Sequence, residues 1–196
     1  MDIFHNDSDR QFYLDQLSEK CEEYKVKVNG YCLMTNHVHI ILTPKHEQSL
    51  GLAIREIHKA YTRRINFRTR VKGHLFQGRF FSCALDQAHY LTAMCYVERN
   101  PVKAKIVKNA WEYEWSSAKY HTGKEAASLL IQKPDSLLGS HKEWKRELRR
   151  EPAEVNFFEE RTRTGRPCGD DKFIKMAQRK TGRELFPKPA GRPKSN

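Results

Sequence analysis

The chain has 196 residues, 38% of them hydrophobic and 11% aromatic, which suits one domain with an appendage or two small domains. No apolar run approaches the roughly 20 residues that span a bilayer, and the polar first ten residues do not resemble a signal peptide, so the sequence predicts no membrane association. The formal net charge of +12 indicates a polyanionic partner, and nucleic acid is the leading candidate.

The cysteines are scattered along the chain, at Cys21, Cys32, Cys83, Cys95 and Cys168. Their number is odd and no two of them form a C-x-x-C pair, which argues against a disulfide scaffold and against a zinc ribbon. The sequence therefore predicts a protein of the reducing cytoplasm.

The first elements along the chain are predicted to be a helix and a β-hairpin. Apolar residues at a period near 3.6 predict a helix over Ser8–Tyr24. β-rich segments predict strands over Tyr24–Met34 and His37–Thr43, with the turn at Thr35–Asn36. The pair Asn29–Gly30 is a competing turn signal, but a turn there would leave a very short first strand.

The next predicted elements are a helix, a strand and a helix. Ser49 can cap the first of these helices, whose apolar stripe ends at Ile65. Phe80–Leu85 is predicted to be a strand. Asp86 then caps a helix to about Arg99, which Pro101 is expected to stop, since a residue before proline avoids helical geometry.

This order of helix, strand, strand, helix, strand and helix is that of an α+β split β-α-β fold without its first strand. We assign residues 1–123 to this domain. Residues 124–196 are predicted to be a basic, mostly helical or disordered C-terminal extension, with helices near Lys142–Arg150 and Asp171–Thr181 and a disordered end.

A strongly basic segment lies between Arg55 and Arg79, in which Glu56 is the one acidic residue. A solvated helix face would also accommodate these charges, but their imbalance favours phosphate binding. Single-stranded nucleic acid binds grooves that combine cations with aromatic platforms, although most aromatic rings of this region are expected to lie in the core. The residues that we expect to contact DNA here are Arg55, Lys59, Arg63, Arg64, Phe76, Gln77 and Arg79.

Four residues carry the predicted chemistry. His37 and His39 lie two apart on a strand, so both imidazoles project from one face and could form half of a divalent-metal site. Tyr96 and Asn100 lie four apart on one helix face. A tyrosine there usually packs in the core, yet its phenol can also attack phosphorus. A metal held by the histidines and the Asn100 amide could polarise the scissile phosphate.

Three segments, Tyr31–Leu42, Gly73–Phe80 and Tyr96–Ala104, occur in the order found in a known family. Together they resemble the REP-associated tyrosine transposases, within the IS200-like superfamily of single-tyrosine HUH (His-hydrophobic-His) transposases. The resemblance covers about residues 1–123. The Gly-Arg-Pro tripeptides at 165–167 and 191–193 are also similar to C-terminal extensions of this group, and they could place Arg166 and Arg192 in a narrow minor groove.

The resemblance implies a ferredoxin-like fold, an antiparallel sheet with helices packed on one face. Family members carry an additional strand before the counterpart of residues 1–7, so the sheet is expected to lack its first strand. The resemblance also implies cleavage of single-stranded DNA beside imperfect hairpins through a 5′-phosphotyrosine intermediate, with Mg²⁺ or Mn²⁺ as cofactor. It favours a monomer over a homodimer.

By the matching motifs, His37 and His39 are the implied metal ligands, Tyr96 is the implied nucleophile and Asn100 is the implied third ligand. Two alternatives stay open. One is a catalytically decayed protein that still binds hairpin DNA. The other is a zinc-dependent hydrolase built on the two histidines, although the sequence contains no H-E-x-x-H motif.

Overall fold

A computed structural model describes residues 2–76, 78, 80–126, 128, 130–131, 136–151 and 155–186. The fold is α+β, as predicted. Its elements in chain order are α1 (Asp7–Glu23), β1 (Val26–Leu33), β2 (Val38–Pro44), α2 (Ser49–Thr69), α3 (Gln87–Lys103), α4 (Ala118–His121), α5 (His141–Glu147), α6 (Val155–Thr164) and α7 (Asp171–Thr181). Short 3-10 helices cover Ala110–Glu112 and Ser136–Leu138.

The described residues fall into two compact units. Residues 2–80 and 93–151 belong to the first unit, and residues 81–92 and 155–186 belong to the second. No helix in the described ranges is long and apolar enough to cross a membrane.

The first helix and the β-hairpin confirm the sequence prediction. Asn6 caps α1, because its side-chain oxygen accepts a hydrogen bond from the backbone N–H of Asp9 at 2.9 Å. β1 and β2 pair antiparallel, with Leu33 opposite Val38, so the turn includes the predicted Thr35–Asn36.

The competing turn signal at Asn29–Gly30 forms a β-bulge within β1, where the register shifts. The Asn29 amide donates to Thr43 Oγ1 at 2.7 Å and so ties the bulge to β2. A Cβ atom at Gly30 would lie 2.3 Å from the Met94 sulfur. Glycine at this position therefore lets α3 approach the sheet closely.

Helices α1 and α2 pack together on one face of the sheet, as the prediction of a helix layer requires. The buried residues that they share with β1 are Tyr13, Leu17, Val28, Tyr31, Leu33, Ile54, Ile57, Tyr61 and Ile65. α2 begins at Ser49 itself, without the side-chain cap predicted for that residue. Both guanidinium nitrogens of Arg68 on α2 donate to the buried Asp9 carboxylate on α1. Arg68 belongs to the basic segment, and this ion pair shows that its charge is used to join the two helices.

The opposite face of the sheet carries Cys32 and His39, which are cross-strand partners, and meets α3 at Gly30. The segment around Ser116 forms backbone hydrogen bonds with β1. Ser117 N–H donates to the Tyr31 carbonyl at 3.0 Å, and Leu33 N–H donates to the Trp115 carbonyl at 2.9 Å. This segment therefore lies along the edge of β1 that β2 leaves open.

The strand predicted at Phe80–Leu85 is wrong. In this segment only Leu85 makes a β-bridge, parallel to Cys168. β-propensity expresses how well a side chain fits a half-buried pleated surface, whereas Phe81 is 70% exposed. The described sheet therefore contains two strands, β1 and β2.

The predicted stop of the helix before Pro101 is also wrong, since α3 continues to Lys103. Asp86 caps this helix as predicted, accepting from His89 N–H at 2.8 Å. Proline has no N–H to offer the carbonyl four residues earlier, that of Val97. The Asn100 side chain compensates, because its Nδ2 donates to the Tyr96 carbonyl at 2.8 Å and to the Val97 carbonyl at 3.4 Å.

The two helices predicted in the C-terminal region are confirmed as α5 and α7. Ser140 and Glu143 form a capping box at α5, while Asp170 caps α7. α6 was not predicted. The sequence predicted disorder at the end of the chain. Residues 187–196 lie outside the described residues.

Candidate functional site

The two predicted metal-binding histidines point at one another. Their Nε2 atoms lie 3.1 Å apart and their ring centroids 4.8 Å apart. Asn36 Oδ1 lies 2.6 Å from His37 Nδ1, and because a carbonyl oxygen can only accept, Nδ1 carries the hydrogen. The lone pair of neutral His37 is therefore on Nε2, which faces His39.

Burial lowers the pKa of His37 below its ordinary value. The neutral imidazole therefore predominates at neutral pH. Metal ions bind the neutral ring and must displace any proton from it. The environment of His37 thus favours metal binding over protonation.

Tyr96 lies beside this pair, although it comes from a different element. Its ring centroid is 5.4 Å from that of His39, with the rings at 73°. Tyr96 is 8% exposed, and the Lys103 ammonium lies 5.9 Å from the centre of its ring. The structure thus brings three of the four predicted chemical residues into one cluster.

Asn100, the fourth residue, lies one turn beyond Tyr96 on α3. Its Nδ2 is bound to carbonyls of its own helix. A metal ion could therefore coordinate only its Oδ1. Its contacts also give the Asn-Pro pair a structural role that the sequence did not indicate.

The donor atoms of the histidines fit a divalent ion. Imidazole nitrogens bind such ions at about 2.0–2.1 Å, so two nitrogens 3.1 Å apart can contact one ion. Within the described ranges, no group of three or more His, Cys, Asp and Glu side chains could hold a metal ion. Any further ligands would thus be of another kind, such as an amide, water or phosphate oxygen.

Glu98, which is fully buried two residues after Tyr96, was not among the predicted site residues. Its carboxylate accepts hydrogen bonds from Ser117 Oγ at 2.5 Å, His121 Nδ1 at 2.6 Å and Trp144 Nε1 at 2.8 Å. These donors come from three places in the chain after α3. One sequence feature could have indicated a buried carboxylate here: Glu98 directly follows an apolar run that ends at Val97.

We expect Glu98→Gln to lower the free energy of unfolding by about 2 kcal/mol or more, because an amide cannot accept from all three buried donors. Glu22→Gln, on the exposed side of α1, is the matched control and should have little effect. Urea unfolding followed by circular dichroism measures both. Equal midpoints for the two variants would show that the buried bonds contribute nothing to stability.

The predicted DNA-binding residues of α2 separate into two groups. Arg55, Lys59 and Arg63 line a cavity of about 1260 Å³ between α2 and residues 71–76, 78 and 80. Arg64 points elsewhere, with its guanidinium 4.5 Å from the centre of the Phe12 ring. Only the first group therefore lies on the wall of this cavity.

Aromatic rings accompany the basic side chains of the cavity. Phe76 stacks on His58, with ring centroids 3.8 Å apart and planes at 10°. Phe67 also lines the cavity and is 88% exposed, although the sequence favoured a core position for it. Tyr61 is fully buried, as expected for a core ring. Phe67 is thus a candidate stacking platform that the sequence did not single out.

The remaining predicted DNA contacts lie C-terminal to Phe76. Gln77, Arg79 and Arg192 lie outside the described residues. Gly165 has a φ of 67°, and the N–H of Arg166 donates to the Arg161 carbonyl at 3.1 Å, a pattern typical of a Schellman helix end. The termination of α6 therefore accounts for the glycine of this Gly-Arg-Pro tripeptide without reference to DNA.

Comparison with known families identified one that matches this chain. A family profile described as "Transposase IS200 like" matches residues 1–100, slightly more than half of the chain. The matched range includes His37, His39, Tyr96 and Asn100. Comparisons with curated proteins and with solved structures found no match.

Proposed function

Because the chain belongs to the IS200-like transposase family, we propose that it is a metal-dependent endonuclease and strand transferase for single-stranded DNA at hairpins. The family supports DNA as the partner and transposition as the process. The observation that carries the finer proposal is the packing of Tyr96 against His39, whose Nε2 faces His37.

In the proposed reaction the Tyr96 hydroxyl oxygen attacks the scissile phosphorus. A bond forms between this oxygen and phosphorus while the bond to the 3′ oxygen of the preceding nucleotide breaks. The phenol gives up its proton, the leaving 3′ oxygen takes up a proton to become a hydroxyl, and a 5′-phosphotyrosine remains. His37 and His39 would hold Mg²⁺ or Mn²⁺, with Asn100 Oδ1 as a third ligand. Such an ion supplies Lewis-acid polarisation of the phosphate. In strand transfer, a 3′ hydroxyl would attack the same phosphorus and release Tyr96.

The cavity beside α2 is the proposed path of the single strand. Arg55, Lys59 and Arg63 supply charges for the phosphates, and the exposed ring of Phe67 supplies a stacking surface. Cations with aromatic platforms are the combination that binds single strands without reading their sequence. We further propose that residues 1–123 carry the chemistry and that the basic extension 124–196 adds affinity for DNA.

Replacing Arg55, Lys59 and Arg63 together by glutamine should flatten the salt dependence of hairpin binding. Log K falls as log salt rises, and each lost phosphate contact reduces the magnitude of this slope by about 0.7 for single strands. Fluorescence anisotropy with a labelled hairpin between low and physiological salt measures the slope. Arg64→Gln is the matched control on the same helix, and an unchanged slope in the triple variant would show that the cavity does not bind phosphate.

A catalytically decayed protein that still binds hairpin DNA remains a second candidate. The observation in its favour is that Tyr96 is only 8% exposed. This candidate predicts hairpin binding by the wild-type chain without any covalent adduct. We also propose a cytoplasmic location, because cysteines that are odd in number and form no C-x-x-C pair suit a reducing compartment.

A further inference from the structure

Two cysteines of the second unit lie side by side. Cys168 Sγ donates a hydrogen bond to Cys83 Sγ across 3.8 Å. A disulfide requires an S–S separation of about 2.05 Å, so the sulfurs need to approach by less than 2 Å. The residues are 85 positions apart in the chain, and this distance explains why sequence spacing gave no sign of the pair.

The backbone holds the two segments in register around the sulfurs. Cys168 N–H donates to the Ala84 carbonyl at 2.7 Å, and Asp86 N–H donates to the Cys168 carbonyl at 2.9 Å. Asp170 N–H donates to the Asp86 side chain at 3.0 Å. Three hydrogen bonds therefore hold the segments that carry the two thiols against each other.

The two thiols differ in the way that nucleophilic and resolving thiols differ. Cys83 is half-buried, whereas Cys168 is fully buried. The hydrogen bond from Cys168, together with Thr162 and the charge of Arg161, lowers the pKa of Cys83 below its ordinary value despite its burial. The same hydrogen bond and burial raise the pKa of Cys168.

The remaining three cysteines provide a contrast. Cys21, Cys32 and Cys95 are buried, and burial raises the pKa of each. A thiolate is the species that attacks disulfides, so these thiols are poor nucleophiles. Selective reaction at Cys83 is therefore expected from both its exposure and its surroundings.

We propose that Cys83 and Cys168 form a reversible disulfide by exchange with a small disulfide such as oxidised glutathione. The Cys83 thiolate attacks one sulfur of the oxidant, its S–S bond breaks, and one glutathione thiolate leaves. Cys168 sulfur then attacks the Cys83 sulfur and releases the second glutathione. Two protein thiols lose two electrons, one glutathione disulfide gains them, and the two thiol protons end on the released glutathiones. The disulfide would covalently link the segment before α3 to the segment between α6 and α7.

The test uses the full chain, reduced and then freed of reductant. Incubation with oxidised glutathione should remove two of the five free thiols, and dithiothreitol should restore them. Digestion without reductant, followed by mass spectrometry, should identify linked peptides containing Cys83 and Cys168. Five remaining thiols, or a linkage between other cysteines, would overturn the proposal, and neither result bears on the DNA chemistry.

Variants separate the two steps. Cys168→Ser should accumulate a glutathione adduct at Cys83, whereas Cys83→Ser should react at least about tenfold more slowly than the wild type. Cys95→Ser is the matched control and should still form the linked peptides. The same chain in urea should react at all five cysteines. If the folded chain reacts as the unfolded chain does, the folded arrangement does not direct the exchange and the proposal is wrong.

Discussion

Tyr96→Phe is expected to abolish the covalent protein–DNA adduct while leaving hairpin binding unchanged. Phenylalanine keeps the ring that packs against His39 but removes the oxygen that would attack phosphorus. If Tyr96 were only a core residue, the substitution would lower stability by about 1 kcal/mol for a lost hydrogen bond and leave the adduct intact. A denaturing gel of labelled hairpin DNA with Mg²⁺ or Mn²⁺ distinguishes these outcomes.

Tyr113→Phe is the matched control for this experiment. The Tyr113 hydroxyl donates to the Leu33 carbonyl at 2.8 Å, so the control also loses a buried hydrogen bond near the same sheet. It should still form the adduct. Mass spectrometry of the linked peptide should place the DNA on Tyr96, and an adduct on any other residue contradicts the proposed mechanism.

His37→Ala or His39→Ala should lower the rate of cleavage by about two to three orders of magnitude, the usual range when one electrostatic contact to the transition state is lost. Hairpin binding should change little, because the cations of α2 lie elsewhere on the chain. EDTA should have the same effect on the wild type. His46→Ala, at an exposed position after β2, is the matched control.

The pH dependence of Mn²⁺ binding provides a separate measurement of the histidine pair. Protons compete with the metal only at pH values below the pKa of the ligand. Because burial lowers the pKa of His37, binding should persist to a more acidic pH than an ordinary histidine would allow. Calorimetric titration at several pH values measures this. Cleavage that continues in EDTA would contradict the metal mechanism even if Mn²⁺ binds.

Local signals predicted the first helix, the hairpin and α7, because periodicity and alternation act over a few residues. The turn at Thr35–Asn36 lies between the strands that it joins, and the caps that the structure shows at Asn6 and Asp170 lie directly before their helices. The His37 and His39 pair was accessible for the same reason, since two residues on a strand share a face. Their proximity to Tyr96 came from the family resemblance, because spacing cannot bring β2 and α3 together.

The errors have physical causes that composition and spacing do not show. Phe80–Leu85 has the composition of a strand, but the side chain of Phe81 is exposed to solvent. The Asn100 side chain donates hydrogen bonds to carbonyls of α3, and the helix therefore continues beyond Pro101. Arg68 was counted in the basic segment, but it forms an ion pair with Asp9, which lies 59 positions earlier in the chain.

The buried carboxylate of Glu98 limits how far the chain can be shortened from its C-terminal end. One of its three donors is the indole of Trp144, which lies beyond the part of the chain that resembles the transposases. A fragment ending at residue 123 would keep Tyr96 and both histidines, yet it would expose this carboxylate to water on the side that the indole covers. The shortest fragment suitable for crystallisation or NMR should therefore include α5. The part of the chain that resembles the transposases ends at about residue 123, before α5 begins at His141.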